Sequence, residues 1–348
     1  MGKKYNILRG ANLALIFITF VAYLSPYISP VSFWAISLFG LAYPWLLLLH
    51  LLLIATWIVF KRWYFLFSLA CILLGWSHFS ALVGLHPFAG KAQKEEIKVL
   101  TYNINSFLFF GTSDSTAQKN LWAFIKKTDA DVLCFQEFRT KSKRGRTFMD
   151  FLKRQGYRHQ RESKLGHLLI CSKAPFEKSE EINFENTTNG VIYTDIKLKG
   201  KTTRVFNLHL ESNKITNQAN QIAEDADLQQ KETWYTMGNI FQKIHRASEA
   251  RAHQAEVIAA AIQSAKMPVL LCGDFNDTPL SYTYARLSDD MCDSWRESGF
   301  GLGVTFGGSI PGLRIDYILG TADLDFKTCR ILKEPFSDHY PVLASFDW

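Results

Sequence analysis

Residues 1–90 contain no aspartate and no glutamate, so all 32 acidic residues of this 348-residue chain lie beyond them. A segment without acids has no carboxylate to hold a metal ion, and it lacks the mixed-sign surface of a water-soluble domain. Its strong bases are Lys3, Lys4, Arg9, Lys61 and Arg62. The formal charge of +7 therefore divides into +5 for this segment and +2 for the rest, where 34 basic residues face 32 acidic ones. The high isoelectric point belongs to the N-terminal segment. The larger part is close to neutral and has no global field for a polyanion. Cysteine is also sparse, with six in all, and no CxxC spacing suggests zinc. Cys71 lies in an apolar run, and Cys134, Cys171 and Cys272 sit in strand-like runs as small core residues. Cys292 and Cys329 remain as a pair that an oxidising compartment would allow. No internal repeat or low-complexity tract is present.

Apolar runs fill the acid-free segment. Residues 11–28, 31–60 and 64–85 each match or exceed the span of about 20 residues that crosses a bilayer. The second run is longer than needed and contains Pro44, which predicts a tilt, a kink or a split there. A cleaved signal peptide is the alternative for the first run, but more apolar sequence follows without a small-residue cleavage site. Trp34, Trp57, Trp63, Tyr64 and Trp76 fall near the expected interfaces. The expectation is three membrane-spanning helices in residues 1–90, followed by a second domain over 91–348. Lys3, Lys4, Arg9 and the Lys61-Arg62 turn place the N-terminus in the cytoplasm. Three crossings then put the second domain on the outer face.

Beyond a short polar link, the second domain alternates strand-like and helical patterns. Strands are expected over residues 98–104, 132–136, 167–171, 191–198, 204–210, 269–273, 314–319 and 342–346. Helices are expected over 116–127, 146–155 and 248–265, the last with Val257, Ile258, Ala261 and Ile262 at helical spacing and Pro268 to stop it. This pattern predicts a layered α/β or α+β domain with sheet at its centre. Residues 211–245 stand apart as a polar, partly helical excursion, either a solvated insertion or a lid beside a site.

The chemistry sits at strand ends. Asn103 and Asn105 close the first strand, Glu137 follows the second, and Asn207 and His209 end a later one. Gly273-Asp274-Phe275-Asn276 ends another, Arg314-Ile315-Asp316-Tyr317 opens the next, and Ser337-Asp338-His339-Tyr340-Pro341-Val342 leads into the last. Pleat alternation puts Asn103 with Asn105, Asn207 with His209, and Asp274 with Asn276 on common faces while each strand persists. Carboxylates hold a divalent cation, amides and histidine bind phosphoryl oxygens, and a carboxylate-paired histidine or an aspartate moves the proton. Such a set suits phosphate-ester hydrolysis.

Taken in order with Val99-Leu100-Thr101-Tyr102-Asn103-Ile104-Asn105 and Asp131-Val132-Leu133-Cys134-Phe135-Gln136-Glu137, these motifs resemble the endonuclease/exonuclease/phosphatase superfamily over about residues 97–348. The resemblance implies a four-layer sandwich of two packed β-sheets flanked by helices. It implies Mg²⁺ (or Mn²⁺) bound mainly by Glu137, helped by Asn105 and Asp338. His339 would contact the scissile phosphate and transfer a proton, oriented by Asp316. Asp274 would position or deprotonate the attacking water, or assist the leaving group. Asn103 and Asn276 would stabilise the pentacovalent phosphorus, and His209 would bind phosphate or act as a second acid.

Plainer roles stand beside these. Asp316 also fits a structural acceptor, Asn103 a tie from strand to loop, and His209 a satisfied buried histidine. His167 reads as structural, and His159, His245 and His253 as surface groups. Arg251 and Gln254 read as helix-to-loop donors and acceptors outside the site. The leading function is a membrane-anchored, divalent-metal-dependent phosphoesterase acting on nucleic acid, a phospholipid head group or a sugar phosphate. An endonuclease, or a non-catalytic membrane-bound binding protein, is the alternative. No protein partner is predicted.

Overall fold

The computed structural model describes all residues except 1, 89, 91, 92, 94, 109–114, 186, 216, 217, 219–230 and 309. Two six-stranded sheets pack face to face behind an N-terminal helical region, which is tied to them by a ribbon of β1 (Val83–Leu85) and β11 (Phe300–Leu302). The first sheet comprises β2 (Ile97–Asn103), β3 (Val132–Gln136), β4 (His159–Glu162), β5 (Leu168–Ser172), β13 (Asp325–Ile331) and β14 (Val342–Asp347). Its order is β13-β14-β2-β3-β5-β4. The second comprises β6 (Phe176–Asn183), β7 (Gly190–Leu198), β8 (Lys201–His209), β9 (Val269–Asp274), β10 (Met291–Asp293) and β12 (Asp316–Thr321). Its order is β10-β12-β9-β8-β7-β6. Among the described residues, only β2–β3 and β8–β9 are parallel pairs.

Alternation explains the layering. Val99, Val132, Cys134 and Ile170 of one sheet meet Ile192, Val205, Leu270 and Ile318 of the other in a fully buried seam. The opposite residues face outward onto helices. Leu100, Leu133 and Phe135 pack under the helices Ser115–Thr128 and Lys143–Arg154 through Leu121, Ile125, Phe148 and Leu152. Phe206, Leu208 and Leu271 pack under Ala255 and Ile258 of the helix Lys231–Gln263. The result is helix, sheet, sheet, helix, as the resemblance implies. Each expected strand has a counterpart, and β1, β4, β6, β10, β11 and β13 are additional. The helix expected over 248–265 is the C-terminal half of a 33-residue helix. Part of the 211–245 excursion lies outside the described residues. All six cysteines are free, and Cys329 accepts a hydrogen bond from Ser294 rather than pairing with Cys292.

The N-terminal region departs from three straight spans. One helix, Gly2–Tyr23, is long and apolar enough to cross a membrane, over Tyr5–Tyr23. The second run breaks into Pro30–Phe33, Ile36–Leu41 and Tyr43–Val59. Pro44 lies in the first turn of the last of these, where its missing N–H costs nothing, so it starts a helix instead of kinking one. At 17 residues that helix reaches about 25 Å, short of a roughly 30 Å hydrocarbon core. The third run bends by 81° between Phe65–Leu74 and Trp76–Leu82, so it passes the length test only if the bent pair counts as one span. Polar groups inside these helices are paired with one another. Ser68 Oγ donates to Asn12 Oδ1 at 2.8 Å, and the His50 ring sits 3.0 Å from Ser68 Oγ and 2.9 Å from Thr19 Oγ1.

This region is joined to the sandwich. β1 pairs antiparallel with β11. Gly303 N donates to Leu82 O, and Arg314 Nη1 donates to Ala81 O at 2.6 Å. Trp34 stacks on His245 with ring centroids 4.7 Å apart, so His245 is an inter-region contact rather than the expected surface group.

Candidate active site

Strand register brings three of the expected groups side by side. His209 ends β8 opposite Asp274 of the parallel β9, and Asp316 opens β12 opposite Asp274 on its other side. In the facing sheet, Asn103 ends β2 beside Gln136 of β3, which delivers Glu137 one residue on. Asn103 then bridges the two sheets. Its amide nitrogen donates to Asp274 Oδ2 at 2.9 Å and to Glu137 Oε1 at 3.2 Å, while its Oδ1 accepts from Asn105 N. Both amide hydrogens of Asn103 are therefore engaged by carboxylates, and in this arrangement it holds the two acids together.

Backbone conformation places the rest. Gly273 has φ +142°, and a Cβ there would stand 2.1 Å from Leu208 O, so the parallel approach of β8 to β9 requires glycine. Glu137, Asn105 and Asn276 have φ values of +51°, +43° and +52°. Non-glycine residues in the left-handed region are strained and cluster at functional sites. They also correct the alternation argument. β2 ends at Asn103 and β9 at Asp274, so Asn105 and Asn276 reach the site from turns, not as the next residues of a pleat. Asn276 N donates to Asp274 Oδ1 at 2.8 Å, and its amide donates to Leu210 O. Asn105 donates its amide to Asp338 Oδ1 at 2.8 Å. Asn207, on the same face as His209, serves the core: it donates to Phe135 O and Leu169 O and accepts from Gln136.

His339 lies among acids. Its Nδ1 is 3.0 and 3.2 Å from the two Asp316 oxygens, and its Nε2 is 3.8 Å from Asp274 Oδ2. The Asp316 and His339 backbones are anchored through one loop. Thr305 Oγ1 accepts from Ile315 N and Asp316 N, and Phe306 forms an isolated antiparallel bridge with His339. Burial alone would lower the His339 pKa, but the charges of Asp316 and Asp274 outweigh it and raise it to about 10. Burial, then the neighbouring Asp316 charge, raises Asp274 to about 6 against the opposing pull of His339, His209 and the Asn103 hydrogen bond. His209 Nε2 is buried and lacks a hydrogen-bond partner among the described residues, 3.6 Å from both Glu137 Oε1 and Asp274 Oδ2. A buried donor left open toward the site is suited to a ligand oxygen.

Asn105, Glu137, Asp274, Asn276, Asp338 and His339 line a pocket of about 150 Å³, whereas Asn103, His209 and Asp316 lie behind it, in contact with Asp274 or His339. Glu137, Asn105 and Asp338 offer only hard oxygen donors, which fits Mg²⁺ or Mn²⁺. Among the described residues, the most compact set of potential ligand atoms is a different one, Asp274, Asp316 and His339, all buried and within 4.8 Å of one another. Because Asp316 engages His339 Nδ1, that set reads as a buried ion pair. His167 stands outside the site, with its backbone N–H bonded to Ser163. Arg251 and Gln254 bind the loop at Glu211, with Arg251 also on Asp277. Apart from Ile315, which lies in the Arg314–Tyr317 motif, the remaining lining was not visible in the motifs. It includes Phe306, Ile310, Leu313 and Ile315, and Leu41 from the N-terminal region.

A sequence profile of the Endonuclease/Exonuclease/phosphatase family matches residues 100–339, and a second profile, of a domain of unknown function, matches residues 5–82. No curated protein matches the chain. Among solved structures, an endonuclease/exonuclease/phosphatase from Beutenbergia cavernae shares 18% identity over 72% of this chain and 71% of its own, with a TM-score of 0.52. The human Nocturnin catalytic domain with bound sulfate shares 18% over 76% of this chain and 96% of its own, with a TM-score of 0.51. A mannosyl-6-phosphatase from Bacteroides thetaiotaomicron shares 18% over 72% of this chain and all of its own, with a TM-score of 0.50. At that identity the structures attest the fold. The profile match covers more than half of the chain, which therefore belongs to the endonuclease/exonuclease/phosphatase family of enzymes, hydrolases of phosphoric ester bonds.

Proposed function

We propose that the chain is a membrane-anchored phosphoesterase that uses a divalent cation. The observation that carries this reading is the chain of contacts from Asp316 through His339 to Asp274, Asn103 and Glu137, hydrogen-bonded except for the 3.8 Å His339–Asp274 approach, which crosses both sheets at one pocket. Asp316 fixes the His339 ring and leaves Nε2 facing the pocket. Asp274, held by Asn103 and the Asn276 N–H, takes a proton from the attacking water. His339 Nε2 and His209 Nε2 bind phosphoryl oxygens, and His339 supplies a proton to the departing oxygen. Glu137, Asn105 and Asp338 would hold Mg²⁺ or Mn²⁺, which supplies positive charge to the phosphoryl group.

Anchoring rests on the N-terminal region, residues 1–90, taken as a unit distinct from the catalytic domain at 91–348. Around a packed centre that includes Leu15, Leu46, Leu47 and Ile72, many of its apolar side chains lie open: Ile7, Phe17, Val59 and Leu74 are each about 70% exposed or more. An apolar surface of that extent fits lipid and not water. With Lys3, Lys4 and Arg9 inside, and Arg62 stacked on Tyr5 at the same end of the first helix, we assign the catalytic domain to the outer face. A reporter fused after Trp348 that works only in the cytoplasm would reverse that assignment.

The test uses the full chain in maltoside micelles with bis(p-nitrophenyl) phosphate. Hydrolysis is expected with Mg²⁺ or Mn²⁺, loss of it in EDTA, and near-complete loss in His339→Gln. Full activity in EDTA removes the metal from the reading, and full activity of His339→Gln removes the site.

A further inference from the structure

We infer that the substrate is the phosphate ester of an amphiphilic alcohol, whose apolar part lies on a wall that the N-terminal region helps to build. The inference rests on the phosphoesterase reading and names its substrate class. The pocket has two unlike sides. One carries the carboxylates, amides and His339, with Ser212, Asn213 and Lys214 at its edge. The other is Leu41, Phe306, Ile310, Leu313 and Ile315, with no hydrogen-bonding side chain among them. Phe306, Leu313 and Ile315 form a small buried cluster, and Leu41, Trp45 and Ile310 pack against it.

Leu41 reaches this position by close docking. It ends the helix Ile36–Leu41, and Gly40 beside it lies so near the catalytic domain that a Cβ would stand 2.1 Å from Leu280 O. Thr278 Oγ1 donates to Gly40 O at 3.4 Å, just beyond the Asp274 and Asn276 loop. From Leu41 the chain runs at once into the apolar helix Tyr43–Val59, whose Leu48, Leu49, Leu51 and Leu52 are about half exposed. Phosphate chemistry and lipid-facing surface are thus joined by one short stretch of chain.

Other substrate classes fit this lining less well. A nucleic acid needs cations along its backbone, and the only Lys or Arg among the described lining residues is Lys214, which is paired with Glu211 at 3.2 Å. A sugar phosphate needs polar partners around its ring; Ser212 and Asn213 offer some at the pocket's polar side, but the wall of Leu41, Phe306, Ile310, Leu313 and Ile315 offers none. An alkyl chain needs only removal from water. In the reaction, water oxygen bonds to phosphorus as an ester P–O bond breaks. The departing alcohol takes one proton and the phosphate product keeps the hydroxyl.

The experiment compares methyl and butyl p-nitrophenyl phosphate, and methyl- and butylphosphonate as non-hydrolysed ligands, on the full chain in maltoside micelles. At about fourfold per buried methylene, the butyl compounds are expected to exceed the methyl ones by about tenfold or more, in kcat/KM and in affinity. Leu41→Asp and Ile310→Ser are each expected to remove most of that ratio, whereas Leu165→Asp, at an exposed turn, keeps it. Partition into the micelle affects all the proteins alike and cancels in the comparison. A ratio near one in the unmodified protein, or an unchanged ratio in both wall variants, overturns the inference. Absence of hydrolysis for both esters overturns the phosphoesterase reading instead, and the phosphonate affinities still report on the wall.

Discussion

One buried ion pair of the catalytic domain helps to hold its joint with the N-terminal region, alongside the β1–β11 ribbon. Arg314 and Asp293 have side chains that are each 2% exposed. Arg314 donates to both Asp293 oxygens, at 2.8 and 2.5 Å, and to Ala81 O. Asp293 also accepts from Tyr284 Oη and from Trp295 N, where it caps a short helix. Arg314→Met keeps the volume and deletes the charge. It leaves a carboxylate buried with two neutral donors and no cation, and it strips Ala81 O of its partner. Breaking such a pair costs about 3–5 kcal/mol, because the remaining charge stays uncompensated. For a domain of this size that lowers the unfolding temperature by roughly 6–20 °C. Adding Asp293→Asn removes the stranded charge while Asn still accepts from Trp295 N, so the double variant should lose about 1–3 kcal/mol less than the sum of the singles. Thermal unfolding of the full chain in maltoside micelles, followed by near-ultraviolet circular dichroism, measures all four proteins. A loss below about 1 kcal/mol for Arg314→Met, or strict additivity, would refute the claim that this pair helps to hold the joint.

Three further outcomes follow from the site. Glu137→Gln should lower kcat/KM with Mn²⁺ by at least about 100-fold, beyond the loss from groups that only orient a ligand, and raise the metal concentration at half-activity; an unchanged metal titration would move the ion elsewhere. Asp316→Asn leaves the buried pocket in place but removes the partner that fixes the His339 ring. Its kcat should fall about 10²–10⁴-fold with little change in KM, and a loss confined to KM would make Asp316 a binding group. Asp274 carries a pKa raised from 3.8 to about 6, so the native state binds its proton more tightly than the unfolded chain does. Its contribution to stability is full below about pH 4 and is lost as pH rises through about 6. In EDTA, Asp274→Asn should therefore gain stability over the unmodified protein across that window and hold about 1–3 kcal/mol at pH 8, while activity disappears. A stability difference that is flat from pH 4 to 8 would contradict this reading.

Much of the catalytic domain was legible because its signals are local. Short apolar strand runs, buried on both faces and with polar groups at their ends, announce both sheets. The register of β8, β9 and β12 then sets His209, Asp274 and Asp316 abreast without further information. Alternation failed for Asn105 and Asn276, since each strand stops two residues earlier and a left-handed turn takes over. Neither helical periodicity nor a pleat announces where φ turns positive at a residue other than glycine. Arg314 was visible within its motif, but its partner Asp293 carries no motif, so the ion pair appears only once β10 lies beside β12.

The N-terminal region shows the opposite limit. Hydropathy sums composition along the chain and is blind to direction, so residues 31–60 and 64–85 read as spans although they contain helix breaks and an 81° bend. Those breaks matter to the site. A straight helix through Pro30, Gly40 and Pro44 would carry Leu41 along the membrane normal. The short helix Ile36–Leu41 instead lays Gly40 against Leu280 and Leu41 against the cluster of Phe306, Leu313 and Ile315. The residues that spoil the simplest membrane topology are those that close the pocket on its apolar side. On the proposed reading, anchoring and substrate recognition are two consequences of one packing arrangement, and a change at Leu41 is expected to affect selectivity without releasing the protein from lipid.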